Sequence, residues 1–355
     1  MAGDGAHVTP GRRRVPPSVV VITGASAGVG RAVARRFARE GASVALLARG
    51  RDGLEGARAD VEALGGRALT IQTDVTDAAA VEDAATHVEN TLGSIDIWIN
   101  NATVTVFAPV AEMTAEEFAR VTAVTYLGYV HGTLSALKRM RARDRGTIVQ
   151  VGSALAYRAI PLQSAYCAAK HAIQGFTEAL RCELMHDRSQ IHVTMVHLPA
   201  INTPQFGWNR SKLPRHPQPV PPIYQPEVAA EAIYHAAYVR RREVMVGWPT
   251  LKAVYGNRVA PGLADRRLAR AGYDAQQTDE AVGLRLDNLW TPLAGDRGAH
   301  GRFDDRSVSR SPQLWINTHR ALAVGGALLF TAAAAIAARW LRTALPSDPL
   351  EVASP

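Results

Sequence analysis

The segment VVVITGASAGVG, residues 19–30, decides the fold, because an apolar strand runs directly into a glycine-rich turn and a helix. Without Cβ atoms, Gly24 and Gly28 let the backbone turn sharply and approach a pyrophosphate, and Gly30 lets the helix lie against the sheet. The helix N-terminus then offers free N–H groups and a partial positive charge to an anion. The spacing is G-x3-G-x-G, and glycine turns also occur for purely structural reasons. The predicted cofactor loop is Thr23, Gly24, Ser26, Gly28, Val29 and Gly30.

Short apolar runs alternate with helical patterns along the rest of this region. The first five runs are mostly apolar on both faces, as in a parallel sheet covered on both sides. Gly41 stops the first helix, a capping box at Thr114–Glu117 opens a helix running to about Arg141, and Pro226 opens another. The alternation predicts an α/β fold, a Rossmann-type doubly wound parallel sheet. The predicted strands are residues 19–23, 43–48, 68–73, 95–99, 147–151, 191–198 and 243–247.

The ends of the next strands carry candidate nucleotide-binding residues. An NAD site usually has a carboxylate after the second strand, for the ribose 2′-hydroxyl, but this chain has Arg49, which can neutralise a 2′-phosphate. The alternative is a solvated surface arginine in an arginine-rich chain. We predict NADP (NADPH) as the cofactor, with Asp74 and Val75 lining the adenine. Asn101 and Ala102 close the fourth strand and complete this end.

Two tyrosines, Tyr157 and Tyr166, lie close to a lysine in the sequence. Tyr166 and Lys170 are spaced i, i+4 and share one helix face, whereas Tyr157 has no lysine one turn further on. A nearby ammonium favours the phenolate and lowers the pKa of a tyrosine from about 10. Ser153 follows the fifth strand at the edge where such sheets bind ligands, so it can hold a substrate oxygen while Tyr166 moves the proton. Tyr157 is interpreted as a substrate-pocket or packing residue.

Together, Thr23–Gly30, Asn100–Ala102, Ser153 and the pair Tyr166 and Lys170 resemble the short-chain dehydrogenase/reductase family. The resemblance implies a Rossmann-type domain and hydride transfer between a nicotinamide cofactor and a carbonyl or secondary alcohol. It implies Ser153 as carbonyl stabiliser, Tyr166 as acid and base, and Lys170 as the activator of Tyr166 that also bonds the nicotinamide ribose. The predicted enzyme is an NADP-dependent oxidoreductase acting on CH–OH groups.

The sequence departs from the family's pattern at three places. Thr103 stands where glycine is usual, and Leu198–Pro199 replaces Pro-Gly before Ile201 and Thr203. Thr203 still falls where the family holds the nicotinamide carboxamide, and Ile201 is assigned to the cofactor site with it. Thr125 replaces the family's asparagine, which helps to seat a water in the proton relay. The Thr125 hydroxyl can bind the same water at shorter reach, so Thr125 is predicted as a fourth catalytic residue.

A second class of function stays open at this point. A non-catalytic NADP-binding sensor or scaffold would keep the fold while the change at Thr125 removed turnover, although the intact Ser153, Tyr166 and Lys170 argue against it. For an enzyme, the Pro-rich stretch 213–226 lies where the family places its substrate loop. Its prolines and Tyr224 indicate an apolar small-molecule carbonyl or alcohol substrate.

Charge and cysteine usage exclude some other classes. The 355-residue chain has a net charge of +8 and only two cysteines, with no Cys/His cluster at metal-ligand spacing. We see no nucleic-acid-binding motif, so we expect no nucleic-acid partner and no metal. We do expect a homo-oligomer. Residues 1–17 are predicted to be a disordered basic tail, 18–255 the catalytic domain and 256–313 a polar extension.

The C-terminal segment 321–338, ALAVGGALLFTAAAAIAA, contains no charged residue. As a helix it would span about 27 Å, just enough for a hydrocarbon core. We therefore predict an apolar helix over 314–342, followed by a tail over 343–355. It is expected to contact a membrane and to place the protein on its cytoplasmic face. The alternative is a buried or dimer-forming alanine-rich helix and a location in the cytoplasm.

Overall fold

The computed structural model describes residues 18–283, 285–322, 331 and 334–337. The described chain falls into two compact units, one ending at Ser311 and the other beginning at Pro312. The predicted basic tail over 1–17 lies outside the described residues.

The first unit is built on a parallel sheet of seven strands in the order β11-β7-β6-β4-β1-β2-β3. The strands of the described residues are β1 (Val19–Thr23), β2 (Ser43–Ala48), β3 (Arg67–Gln72), β4 (Ile97–Asn100), β5 (Val106–Phe107), β6 (Thr147–Ser153), β7 (His192–Leu198), β8 (Arg210–Ser211), β9 (Arg215–Pro217), β10 (Ile223–Tyr224), β11 (Glu243–Met245), β12 (Gln277–Ala281) and β13 (Ser307–Val308). The predicted Rossmann-type sheet is therefore confirmed. Ser153 is the last residue of β6, paired with Leu198, and does not follow the strand as predicted.

Helices cover both faces of this sheet. Those of the described residues are α1 (Gly28–Ala38), α2 (Arg51–Ala63), α3 (Ala78–Leu92), α4 (Ala115–Thr122), α5 (Gly128–Arg141), α6 (Ser164–His186), α7 (Gln205–Trp208), α8 (Pro226–Tyr238), α9 (Gly247–Val259), α10 (Pro261–Ala271) and α11 (Pro312–Thr318). Helix α1 packs against α2 and α8, while α3 packs against α5 and α4 against α6. The central strands are buried between these layers; Val21, Leu47 and Trp98, for example, are 0% exposed. Burial of each such side chain contributes about 1.5–3 kcal/mol.

The predicted helix from the Thr114 capping box to about Arg141 is helical throughout but changes its hydrogen-bonding pattern. The capping box is present, with reciprocal bonds between Thr114 and Glu117. A π-helical segment, Ala123–Leu127, joins α4 to α5. Such a segment adds a residue to one turn and is frequent at functional sites, and here it contains Thr125.

The region after β11 includes the residues that we predicted as a polar extension. It begins with α9 and α10 and continues as a largely irregular stretch to Ser311 within the first unit. Residues 285–301 of this stretch, which we name the arm, run back across the glycine turn after β1. Gly298 accepts a hydrogen bond from the Gly28 amide at 3.1 Å, and Asp296 forms an ion pair with the buried Arg31.

The predicted location at the cytoplasmic face of a membrane is wrong. Among the residues that the structure describes, no helix is both long enough and apolar enough to cross a bilayer. The described start of the C-terminal unit is the short helix α11, which ends at Thr318. Most of the predicted apolar segment 321–338, and the tail after it, lie outside the described residues.

Candidate active site

A cavity of about 580 Å³ opens along the carboxyl edge of the sheet. Its wall includes residues that follow β1, β2, β3, β4 and β7, together with the end of β6, as expected for ligand binding in an open α/β sheet. Among the described residues, three of the predicted site residues are absent from this wall: Thr23, Gly30 and Thr125. Those that line it are Gly24, Ser26, Gly28, Val29, Arg49, Asp74, Val75, Asn101, Ala102, Ser153, Tyr166, Lys170, Ile201 and Thr203.

The glycine turn is built so tightly that two of its glycines cannot carry a side chain. Gly24 has φ +67°, and a Cβ there would lie 2.7 Å from the Ala102 Cα. A Cβ at Gly30 would lie 2.2 Å from the Gly24 carbonyl oxygen. Gly24 therefore permits the close approach of two strand ends, and Gly30 permits the packing of α1 on the turn.

Thr23 and Asn101 hold the turn in place from behind. The Thr23 hydroxyl accepts hydrogen bonds from the backbone N–H groups of Asn101 at 2.9 Å and Ala102 at 3.1 Å. The Asn101 amide donates to the carbonyls of Thr23 at 3.0 Å and Gly24 at 3.2 Å. Thr23 thus shapes the nucleotide end of the cavity without facing it.

Ser153, Tyr166 and Lys170 meet on one wall of the cavity. The Tyr166 ring centroid is 5.5 Å from the Lys170 ammonium nitrogen, and burial raises the pKa of Tyr166 above its usual range, although a hydrogen bond with Ser153 acts in the opposite direction. Burial also lowers the pKa of Lys170 to about 7. The expected lowering of the Tyr166 pKa by Lys170 is therefore not seen: burial is the largest influence on this phenol, and it raises the pKa. The arrangement still places a hydroxyl, a phenol and an ammonium beside one another.

Lys170 is held by a residue that the sequence did not single out. Its ammonium donates to the Val151 carbonyl at 2.8 Å and to the phenolic oxygen of Tyr129 at 3.0 Å. Tyr129 lies in the same stretch as Thr125, but no motif distinguishes it from an ordinary core aromatic.

Tyr157 packs behind the site, which decides between the two interpretations of it. Its hydroxyl donates to a Glu243 carboxylate oxygen at 2.5 Å, and its ring lies 4.9 Å from that of His197. It is not among the described residues that line the cavity. His197 is fully buried, and its Nδ1 lies 3.2 Å from the Ser153 carbonyl. Sequence reasoning missed this cluster because its members are far apart in the chain.

Thr125 occupies a different position from the one predicted. Its hydroxyl donates to the Val104 carbonyl at 2.9 Å, accepts from the Val104 N–H at 3.2 Å and lies 3.2 Å from the Thr103 hydroxyl. The side chain is 0% exposed and does not reach the cavity. These partners use the hydrogen-bonding capacity of the Thr125 hydroxyl, so Thr125 stabilises the loop after β4.

Arg49 lies at the cavity wall, but its guanidinium already has partners from the arm. It donates to the carbonyl oxygens of Asn288 at 2.5 Å and Trp290 at 2.8 Å, with that of Leu289 at 3.5 Å. In the described chain, no carboxylate lies within ion-pair distance of Arg49. Asp74, in contrast, is paired with Arg120 at 2.8 Å. The arm also contributes Asn288 and Arg297 to the cavity wall, which its irregular sequence gave no reason to expect.

The part of the cavity wall that follows β7 contains a buried polar atom without a hydrogen-bond partner. The Thr203 hydroxyl oxygen is buried, has no hydrogen-bond partner among the described residues, and belongs to a side chain that lines the cavity. A buried hydroxyl without a partner costs free energy, so a ligand that offered one to Thr203 would be stabilised here. Together with the glycine turn and Lys170, it fits a nicotinamide dinucleotide.

The cavity wall also has a large apolar share. It comes from the loop after β6, the segment after β7, the Pro-rich loop and α9 and α10. The apolar lining includes Leu155, Ile160, Phe206, Val220, Ala253 and Leu268. Pro219, Val220 and Pro221 belong to the predicted substrate loop, whereas Tyr224 is buried elsewhere.

Comparison with known proteins agrees with this geometry. The family described as "short chain dehydrogenase" matches residues 18–213, and the chain belongs to this family, the short-chain dehydrogenases/reductases. It is 31% identical over 301 residues to the uncharacterized oxidoreductase YxnA of Bacillus subtilis (strain 168), covering 84% of each chain. It is 31% identical over 235 residues to a fatty acyl-CoA reductase of Acinetobacter baylyi, covering 66% of this chain and 77% of that protein.

Among solved structures, the chain is similar to an alcohol dehydrogenase from the archaeon Thermococcus sibiricus in complex with 5-hydroxy-NADP. The TM-score is 0.57 and the sequences are 27% identical, over 64% of this chain and 95% of the other. The protein is therefore an oxidoreductase of this family.

Proposed function

We propose that this oxidoreductase is NADP(H)-dependent and interconverts a carbonyl and a secondary or primary alcohol on an apolar substrate. The observation that carries the proposal is the meeting of Ser153, Tyr166 and Lys170 on the wall of one cavity, beside the unpartnered hydroxyl of Thr203. The chemistry that a bound nicotinamide supplies is the transfer of a hydride to or from the substrate carbon.

The chain's own residues would supply binding and proton transfer. The Ser153 hydroxyl can donate to a carbonyl oxygen as negative charge develops on it, and the Tyr166 phenol can give that oxygen its proton. The Lys170 ammonium beside the phenol stabilises the phenolate that remains. For alcohol oxidation the same groups act in reverse, with Tyr166 as the base.

An apolar substrate is favoured by the apolar residues that line the cavity, such as Leu155, Ile160 and Val220. Hydrocarbon groups gain about 25 cal/mol for each Å² removed from water, so a hydrophobic chain or ring would bind there more strongly than a polar one. The relative named fatty acyl-CoA reductase makes medium- and long-chain aldehydes sensible first substrates.

The test is a reductase screen with the purified protein and NADPH over alkyl aldehydes, quinones and steroid-like ketones. We expect NADPH consumption with at least one apolar carbonyl, and a loss of several hundredfold or more in Tyr166→Phe. If no substrate is turned over while NADPH binds, the protein is a sensor or scaffold.

The preference for NADP is proposed from Arg49, whose charge has no carboxylate partner in the described chain. A 2′-phosphate would take hydrogen bonds that now go to backbone carbonyls of the arm, and charge-assisted bonds are the stronger kind. Such bonds contribute about 1.5–3 kcal/mol, or roughly 10- to 100-fold in affinity.

We therefore expect Arg49→Ala to weaken NADPH binding by about that factor and to leave NADH binding within about threefold. The exposed Arg51→Ala is the matched control and should change neither dissociation constant. Tighter binding of NADH than NADPH by the wild type, or an unchanged ratio in Arg49→Ala, would contradict the preference.

A further inference from the structure

The ammonium of Lys170 belongs to a closed set of three hydrogen-bonded groups. It donates to the Val151 carbonyl at 2.8 Å and to the Tyr129 phenolic oxygen at 3.0 Å. The Tyr129 hydroxyl in turn donates to the same Val151 carbonyl at 3.0 Å. Lys170 and Tyr129 are only 2% and 1% exposed, so water does not compete for these bonds.

The backbone of Tyr129 is itself fixed by a buried polar network. The Tyr129 carbonyl accepts from the Asn100 amide at 3.3 Å, and Asn100 also donates to Thr133 at 3.0 Å and Gln150 at 2.9 Å. These bonds attach the first turn of α5 to β4 and β6. Because a buried, fully connected network is rigid, the phenol is held at one position relative to Lys170.

The hydroxyl of Thr125 cannot accept a hydrogen bond from the Lys170 ammonium in this way. It is occupied by both backbone groups of Val104 and does not face Lys170. The π-helical segment that contains Thr125 leads directly into Tyr129, one turn further along. The polar contact that supports Lys170 therefore comes from the residue after Gly128.

We propose that Tyr129 is the positioning residue for Lys170: its phenolic oxygen accepts one N–H of the buried ammonium and keeps it beneath Tyr166. This rests on the proposed function of Tyr166 and Lys170. Tyr129 does not pass on a proton, because its own hydroxyl proton is bound to a backbone carbonyl with no acceptor beyond it. Tyr129 acts by fixing the position of the Lys170 ammonium and by stabilising its positive charge.

The electrostatic effect opposes the cost of burial. Burial lowers the pKa of Lys170 to about 7, whereas a hydrogen bond accepted from the ammonium favours its charged form. Loss of the Tyr129 hydroxyl should therefore lower the pKa of Lys170 further. The enzyme needs the ammonium to stabilise the Tyr166 phenolate. As pH rises, the variant should therefore lose activity at a lower pH than the wild type does.

Few other titratable groups face Lys170. Helix α5 presents the phenol of Tyr129, and α6 presents the phenol of Tyr166, with the Cys167 thiol next to it bonded to the Ile160 carbonyl. Strand β6 offers only a carbonyl. Strand β7 has two histidines: His197 faces the Ser153 carbonyl, and His192, at the other end of the strand, accepts from the Arg241 N–H.

The test uses the fact that the chain has four lysines, at 138, 170, 212 and 252. With ¹³C-labelled lysine, the full-length protein gives four side-chain NMR signals, and Lys170→Arg assigns the one from Lys170. We expect Tyr129→Phe to raise the acid dissociation constant of Lys170 about tenfold, since a hydrogen bond to a charged group is lost. In this variant the Lys170 ammonium still donates to the Val151 carbonyl, so the protein should fold. Circular dichroism checks the fold.

Two variants serve as controls. Tyr238→Phe removes a half-buried tyrosine hydroxyl, bonded to Ser18 and remote from the site, and should leave the titration unchanged. Thr125→Val should also leave it unchanged. In the active enzyme, the alkaline limb of the kcat/KM profile should move to lower pH by about one pH unit in Tyr129→Phe alone.

The two proposals fail separately. The titration requires no turnover, so an inactive protein in which Tyr129→Phe still shifts Lys170 would refute the enzyme and keep the positioning role. A Lys170 dissociation constant within twofold of the wild type in folded Tyr129→Phe would overturn the positioning role, whatever the activity.

Discussion

Thr125 provides a sharp test, because its hydroxyl is hydrogen-bonded to the loop after β4, and we expect it to support that loop and not to transfer a proton. Thr125→Val keeps the shape of the side chain and removes the hydroxyl. The change leaves the buried Val104 N–H and the Thr103 hydroxyl without that partner, and the Val104 carbonyl loses a donor. An unsatisfied buried donor costs about 1–3 kcal/mol, so we expect about 2 kcal/mol of lost stability.

Urea unfolding followed by circular dichroism measures this loss. With a typical urea dependence of about 1–3 kcal/mol per molar, the midpoint should fall by about 1 M. The matched control is Thr122→Val, whose hydroxyl bonds only to the Phe118 carbonyl on the helix surface and should cost less than about 0.5 kcal/mol. The folded Thr125→Val enzyme should keep its turnover number within about threefold. A variant as stable as the wild type but more than tenfold slower would refute this reasoning and restore Thr125 to the proton relay.

Tyr157→Phe should lower stability by about 1.5 kcal/mol through the lost bond to a carboxylate, with KM within twofold of the wild type; a tenfold higher KM at unchanged stability would place Tyr157 in the substrate pocket. Gly30→Ala puts a Cβ 2.2 Å from the Gly24 carbonyl oxygen and should cost about 2 kcal/mol or more and weaken NADPH binding, whereas Gly175→Ala, with open space around it, should not destabilise; equal stability of both variants would contradict the tight turn. Burial acts to raise the pKa of Glu82, but hydrogen bonds from Arg and Lys side chains outweigh it and hold the value at about 2. The stability from Glu82 is thus present above its unfolded pKa of about 4.5 and lost as pH falls towards 2, so the difference in unfolding free energy between the wild type and Glu82→Gln should shrink over that range; a constant difference would show that the charge is not involved.

The sheet could be predicted from the sequence because its signals are local. Three features each depend only on residues a few positions apart in the chain: the apolar runs of strand length, the glycine turn after β1 and the Thr114 capping box. The i, i+4 spacing of Tyr166 and Lys170 likewise places both on one face of a helix. For these features, short-range geometry is sufficient.

The remaining parts of the site depend on contacts between distant segments. Arg49 meets carbonyls of the arm some 240 residues away in the chain, and Tyr157 meets Glu243 across 86 residues. Burial, which sets the pKa direction of Tyr166, also depends on the whole fold. The partners of the Thr125 hydroxyl, Val104 and Thr103, likewise lie about 20 residues away in the chain, so they could not be predicted from the sequence around Thr125.

The central claim is that Ser153, Tyr166 and Lys170 form the site at which a hydride moves between a nicotinamide and a carbonyl carbon. The most direct measurement uses NADPH carrying two deuterium atoms at the nicotinamide C4, with an apolar aldehyde, and mass analysis of the alcohol formed. The account predicts an alcohol one mass unit heavier from the wild type. From Tyr166→Phe it predicts almost none, although that variant should bind NADPH within about twofold of the wild type. Unlabelled alcohol from the wild type, or an equal yield of labelled alcohol from Tyr166→Phe, would contradict it.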